Sequence, residues 1–341
     1  MSMLDIFATD AYNVTALTAA INKAPYKPQR LGAMGLFEQK GISTLTAVIE
    51  DRQGRLSILP TAPRGSEPTS DKEPIRTSRQ IPLAHIPAND SVLADEVQDV
   101  RAFGEESVLE TVAGKVNDKL IKLRRNHEVT QEYHRVGAIQ GQVLDADGST
   151  VLTDLFTLFG ITETHITFDW RVATAQDIQI TCLSVIRDME DALGADTYDQ
   201  IYAFCGNDFF DELIHNAFVQ SAYKWYQENS VFARQVQSQR QGFMYGDIMW
   251  INYRGSVGSR LFVPTDDCRF IAGGVPELFQ QYFGPADFVE TVNTVGLPIY
   301  AKQEPKRFGK GIDIHTQSNP LTICTRPQTL IRGRTTNGNV H

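Results

Sequence analysis

No Cys-x-x-Cys pair occurs in these 341 residues; the four cysteines, Cys182, Cys205, Cys268 and Cys324, are widely separated and set among apolar neighbours. That pattern speaks against a zinc site and for reduced, buried thiols made in a cytoplasm. The opening Met1-Ser2-Met3-Leu4-Asp5 has no basic stretch ahead of an apolar one, so no secretion signal is expected. No apolar run approaches the roughly 20 residues of a membrane span. Positive charge is also short: 32 Lys and Arg stand against 41 Asp and Glu, a net charge of -9. A free nucleic-acid binder shows the opposite balance. The glycines at 254–258 and 273–274 lack the spacing of a phosphate-binding loop, and no Gly-x-Ser-x-Gly elbow appears. Internal repeats are absent.

What is present is a chain with 42% hydrophobic and 21% charged residues, able to bury a core and long enough for two modest domains or one domain with arms. Leu4, Ile6, Phe7, Val14, Leu17 and Ile21 suggest a short helix, stopped by Pro25 and Pro28 and followed by a loose basic arm to Gly41. Residues 42 to 60 read as a ribbon, with Asp51-Arg52-Gln53-Gly54 as a tight turn between strands 44–50 and 56–59. Pro60, Pro63, Pro68 and Pro74 then exclude a helix or a central strand. A mixed-charge excursion as long as 42–88 is rare in a compact domain unless it has a task.

Residues 90 to 136 read as helical in two pieces, with Asp90 and Ser91 as N-caps. From Gly104 on, Val108, Val112, Val116, Leu120 and Leu123 form one helical stripe. Run to Val136, that helix is about 45–50 Å long. A hairpin follows, its strands 139–144 and 150–158 flanking Asp145-Ala146-Asp147-Gly148, which lacks the downstream ligands of a calcium loop. Extended chain is expected over 161–170. Helix 175–193 is closed by Gly194, and strand 198–205 precedes a helix capped by Asn207 that continues toward Tyr226. Strands are expected at 243–252, 259–264, 267–272, 312–315 and 321–324. The mix lacks the repeated crossovers of a doubly wound sheet.

Candidate chemistry is sparse. Asp208, Asp211, Glu212 and His215 share a helix, and Asp211 and His215 are spaced as a metal pair could be. Phe209, Phe210, Leu213 and Ile214 account for the buried stripe, which leaves those charges as a solvated face. His127 and His134 fall near the long helix's apolar stripe and read as packing or interface residues. Tyr223, Trp225 and Tyr226 read as core before they read as a binding patch. No active site emerges.

Two segments carry a family resemblance. One is Met244-Tyr245-Gly246-Asp247-Ile248-Met249-Trp250 with Tyr253-Arg254-Gly255, leading to Phe262-Val263-Pro264-Thr265-Asp266-Asp267 and Phe270-Ile271-Ala272-Gly273-Gly274. The other is Ile312 to Thr329, with its Gln317-Ser318-Asn319-Pro320-Leu321 turn and a second proline at Pro327. With the element order, they resemble the lambda-type capsid protein E family of tailed-bacteriophage major capsid proteins.

The resemblance implies an α+β fold. Its parts would be an N-terminal arm (1–41), an extended β-hairpin loop (42–88), a peripheral domain with a spine helix (89–170), a mixed α/β axial domain (171–305), and a return to the peripheral domain with a C-terminal tail (306–341). It further implies self-assembly through hexamers and pentamers into an icosahedral head shell around double-stranded DNA. No catalysis, cofactor, metal, membrane or sequence-specific DNA binding goes with that role. The chain would be a virion component assembled in the host cytoplasm. A container wall need not be basic, so the net charge is compatible. Only about 40 residues precede the loop, which points to a separate scaffolding protein beside a portal and a decoration protein. Loop 42–88 would reach over a neighbouring subunit through Arg52, Arg55, Arg64, Glu67, Asp71, Lys72, Glu73, Arg76 and Arg79. Such surface pairs are worth roughly 0–1 kcal/mol each, so assembly would need many of them. The rival readings are a bacterial nanocompartment shell, a soluble α/β hydrolase or transferase, and a tail-tube protein.

Overall fold

The computed structural model describes residues 14–23, 30–52, 76–96, 112–170, 174–194, 196–229, 242–257 and 260–335. The chain opens with helices α1 (Val14–Lys23) and α2 (Arg30–Met34), then strands β1 (Glu38–Gly41), β2 (Thr46–Arg52), β3 (Arg76–Pro82) and β4 (Ile86–Leu93). The long helix α3 (Val112–Gln140) leads to β5 (Gln142–Leu144), β6 (Val151–Asp154), α4 (Leu155–Phe159) and β7 (Thr164–Phe168). Next come α5 (Ala175–Leu193), β8 (Gln200–Cys205), α6 (Asn207–His215) and α7 (Ala217–Asn229). The rest is strand: β9 (Phe243–Tyr245), β10 (Ile248–Asn252), β11 (Ser256–Val257), β12 (Arg260–Leu261), β13 (Asp267–Gly273), β14 (Phe279–Phe283), β15 (Tyr300–Pro305), β16 (Gly311–Ser318), β17 (Pro320–Cys324) and β18 (Ile331–Thr335). The class is α+β.

Two compact units result. Unit 1 comprises Met1–Ala47, Gln80–Arg135 and Gln280–Thr322; unit 2 comprises Val48–Arg79, Val136–Phe279 and Ile323–His341.

Unit 1 is a helix on a sheet. Strands β15, β16 and β4 run antiparallel in that order, with pairs from Tyr300↔Gln317 to Pro305↔Ile312 and from Gly311↔Leu93 to Ser318↔Ile86. Val116, Leu120 and Leu123 recur at helical spacing on α3 and bury one face against Val92, Ile312 and Ile314 of that sheet and Leu17 and Ile21 of α1. Each such burial is worth about 1.5–3 kcal/mol. α1 is also pinned by polar contacts: the Asn22 amide donates to the Ile299 carbonyl (2.8 Å), and the Ala301 N–H donates to the Thr18 hydroxyl (3.2 Å).

Unit 2 is built on a six-stranded mixed sheet of order β7-β18-β13-β8-β10-β9. All seven residues of β13 are buried, as befits a central strand. Helix α5 buries Ile178, Cys182, Val185, Met189 and Leu193, a single stripe, and starts in a Thr174–Asp177 capping box. The core is aromatic: Phe168 stacks on Trp170 (centroids 4.8 Å apart) and meets Trp250 edge-on (5.9 Å), while Phe270 also meets Trp250 (5.5 Å). Gly333 of β18 lies under this cluster; a Cβ there would come within 2.8 Å of the Phe270 ring.

Several local expectations differ from the structure. Asp90 and Ser91 are not helix caps; they lie in β4, opposite Ile314 and Asp313. Nothing near 90 in sequence announces that partner. The turn expected at Asp51-Arg52-Gln53-Gly54 begins too early, because β2 runs through Arg52 and is paired with β3; the strand expected at 56–59 lies outside the described residues. Residues Leu155 to Phe159 are helix, not strand: Asp154 accepts from the Thr157 N–H at one end and Gly160 takes the left-handed conformation at the other. The strand expected over 243–252 is a hairpin, turning at Gly246 (φ 57) and Asp247 (φ 60). Gly206, rather than Asn207, is the N-cap of α6. The long helix is 29 residues and ends at Gln140; its expected beginning, 104–111, lies outside the described residues.

Candidate assembly interface

Nine loop residues are expected at an interface. Arg52 and Arg76 fall on the paired strands β2 and β3. Arg55, Arg64, Glu67, Asp71, Lys72 and Glu73 lie outside the described residues. Arg79, on β3, is engaged within its own chain: its Nε donates to the Leu158 carbonyl (3.1 Å) and its guanidinium sits 4.6 Å from the Phe159 ring centre. It holds the root of the ribbon to α4. The sequence gives no hint of this, since 79 and 158 are remote and Leu155 to Phe159 reads as strand.

The polar interior of unit 1 lies along α3. Glu132 is fully buried and accepts from the backbone N–H groups of Leu31 (2.7 Å) and Gly32 (3.1 Å), at the start of α2. Those are donors a helix start leaves without intrahelical partners. Arg135, one turn on, donates to Glu132 (3.2 Å) and to the Gln281 side-chain oxygen (2.9 Å). Arg124 donates to the Ile21 carbonyl and pairs with Glu128 at 2.5 Å. The spine helix thus fixes both α1 and α2 by hydrogen bonds to their backbones. His127 faces Thr316 at 3.0 Å. Burial, and then the nearby His315, push its pKa down to about 4, so it is neutral at pH 7. His127 and His134 are both buried within unit 1.

Unit 2 buries a different set. The Asp267 carboxylate, fully buried on β13, meets Arg332 (2.5 Å), Arg269 (3.3 Å) and Arg334 (3.3 Å). Glu163 also pairs with Arg269 and lies 3.8 Å from Arg332. Arg332 and Arg334 are on β18, whose register with β13 sets Asp267 opposite Arg334 and Arg269 opposite Arg332. The network fastens β18 to the centre of the sheet. Alternating Arg332-Gly333-Arg334, two residues apart, is the sequence signal that marks it.

The remaining candidates resolve locally. α6 buries Phe209, Phe210 and Leu213, and Glu212 accepts from the Thr335 hydroxyl. No group of His, Cys, Asp and Glu among the described residues is arranged to hold a metal ion. Asp147 accepts hydrogen bonds from Thr150 and Ser149, which hold its carboxyl well below the usual range; the loop closes on itself. The side chains of Tyr223, Trp225 and Tyr226 lie outside the described residues. All four cysteines are buried and outside any disulfide, with burial pushing the Cys182 and Cys324 thiols up to about 12. No described helix is long and apolar enough to cross a membrane.

A spine helix on a three-stranded sheet, a two-stranded ribbon and a mixed-sheet unit are the elements of a tailed-phage capsid fold. The capsid structure of cyanophage P-SCSP1u shares it, with a TM-score of 0.52 at 10% identity over 92% of this chain and 90% of that one. The family model described as phage major capsid protein E matches residues 13–335. The chain belongs to that family, and its work is to build a phage shell. Similar curated proteins are the major capsid protein of Pseudomonas phage KPP10, 24% identical over 318 residues (88% of this chain, 90% of that one), and that of Salmonella phage Felix O1, 26% identical over 348 residues (92% and 94%).

Proposed function

We propose that this chain assembles through pentamers and hexamers into the icosahedral head shell around the double-stranded DNA of a tailed phage, in the host cytoplasm and without a catalytic step of its own. The observation that carries the reading is family membership across residues 13–335. The net charge of -9 suits a wall that must not grip its DNA. Arm 1–41 would run along one neighbour, and loop 42–88 would reach over another through Arg52, Arg55, Arg64, Glu67, Asp71, Lys72, Glu73 and Arg76. The peripheral part is residues 89–170 with the return 306–341, and the axial part begins at 171. That axial part would run to 305; the two compact units divide the chain differently, with 280–305 beside 80–135 and with 136–170 and 323–341 beside 171–279. A separate scaffolding protein, a portal and a decoration protein are the further partners of this reading; no cofactor or metal belongs to it.

Electron microscopy of the chain co-expressed with its neighbouring genes tests this directly. Closed shells or five- and six-membered rings are expected, and a persistent monomer sinks the reading. Deleting residues 60–74 leaves a soluble subunit that forms no shells; normal shells from that deletion remove the loop from the account.

A further inference from the structure

Strands β15 and β16 form a hairpin whose tip is Lys306-Arg307-Phe308-Gly309-Lys310. Phe308 is 92% exposed. Its backbone sits at φ 62 and ψ 19, the left-handed region where glycine is unstrained and a bulky side chain is not. The turn is held by the Gly309 N–H on the Lys306 carbonyl (3.1 Å) and the Lys306 N–H on the Gly311 carbonyl (2.8 Å). The fold therefore holds an aromatic ring in water on a strained backbone, with the turn kept in place by those two backbone hydrogen bonds. Strain of this kind persists where a function uses it.

The ring has a cationic collar. Lys306 is answered by Asp313 at 3.0 Å, and Glu304 lies opposite Asp313 one step back along the hairpin. Arg307 and Lys310 are exposed and have no ion pair among the described residues. The tip holds three cations, so the rest of the chain carries -9 minus 3, or -12. Another copy of the chain thus offers abundant acidic complement. Ring contacts between copies are heterologous and need two unlike patches, which a basic plug and an acidic recess supply. Duplex DNA is the poorer match, because its stacked bases expose no face to a ring unless the helix is kinked.

We propose that the Phe308 tip is a plug that seats in an apolar, carboxylate-rimmed recess on a neighbouring copy of this chain, with Arg307 and Lys310 pairing to the rim. This deepens the shell-building reading and rests on it. Phe308→Gly removes the ring and relieves the turn. The subunit's melting temperature is expected to hold or rise while the yield of closed shells from the full co-expressed system falls about tenfold or more. Phe308→p-benzoylphenylalanine, mixed with wild-type chain and irradiated in finished shells, is expected to give a product of twice the subunit mass. The joined peptide should be an Asp- and Glu-rich segment of the same chain. Wild-type shell yield from Phe308→Gly overturns the plug, as does a lowered melting temperature, which would mean that the ring packs in its own subunit. Shells whose crosslink runs to DNA, to a different protein or nowhere also overturn it. Wild-type chain that makes neither shells nor rings defeats the shell-building reading itself and the plug with it.

Discussion

In unit 1 the buried polar groups lie along one helix and bond to backbone far away in sequence, Glu132 to Leu31 and Arg124 to Ile21. In unit 2 they are clustered: Asp267 with three arginines on adjoining strands and Glu163 beside them. The first arrangement fastens chain segments to a spine; the second fastens one strand inside a sheet. The difference bears on what each loss would do. A charge at the centre of a cluster has several partners to strand, whereas a charge on the spine has one segment to release. The sharpest break in the comparison is therefore Asp267→Ala. Among the described residues only Glu163 would remain beside these arginines, and unfolding in urea is expected to show a loss of about 3–5 kcal/mol. A loss below about 1 kcal/mol would mean that water already reaches this cluster.

The counterpart in unit 1 is Glu132→Gln, with an expected loss of about 3 kcal/mol from leaving Arg135 buried without its carboxylate. The double variant Glu132→Leu with Arg135→Met removes both charges and should recover part of that loss. It cannot recover all, because the Leu31 and Gly32 N–H groups lose their acceptor. Full recovery in a double-mutant cycle would show that those backbone bonds contribute nothing. Proteolysis should also reach residues 24–41 sooner in Glu132→Gln than in Asp267→Ala, which is the segment-release difference made visible.

Acid should act on unit 1 through His127. Its folded pKa is pushed down from 6.5 to about 4, so protonation favours the unfolded chain. The stability it leaves intact above pH 6.5 is lost as pH falls, by about 2 kcal/mol between pH 7 and pH 5, levelling off below about 4. His127→Gln keeps a hydrogen-bonding group for Thr316 and should flatten that slope. Equal slopes in wild type and variant would assign the acid loss to other groups.

Much of this was legible in sequence where the cause is local. The stripe at Val116, Leu120 and Leu123 marks the spine helix, and Gly194 marks the end of α5. The tail motif at Gln317 to Leu321 fell where β16 passes into β17. Part of the rest is non-local. Strand β4 was read as a helix start because Asp90-Ser91 is also what a cap looks like, and only its ladder with β16 decides otherwise. Strand β14 has no clear alternation, since a strand buried on both faces has none to give. The buried locks were missed for the same reason: Glu132 and Arg135 look like an ordinary exposed pair three residues apart until Leu31 and Gln281 are set against them. Charge alone marks the expected assembly residues, and charge cannot distinguish a residue facing a neighbour from one holding its own ribbon.

Arg79 makes that last distinction measurable, and its effect is the smallest. It belongs by position to unit 2 and by sequence to the charged loop. In the structure its contacts include a hydrogen bond to Leu158 and a ring contact to Phe159. Each is worth about 0.5–1.5 kcal/mol, and the side chain is only half-buried, so Arg79→Ala should cost the isolated subunit about 1 kcal/mol. Arg79→Lys keeps the charge but not the planar stacking, and should lose most of the same amount. A residue whose main work was pairing with a neighbour would behave oppositely: subunit stability unchanged for both variants, shell yield spared by Lys and lost with Ala. Urea unfolding of the subunit and shell yield, measured side by side, separate the two. If Arg79 anchors in cis, loosening the ribbon's root should reduce shell yield for Ala and Lys alike, in step with the stability each has lost.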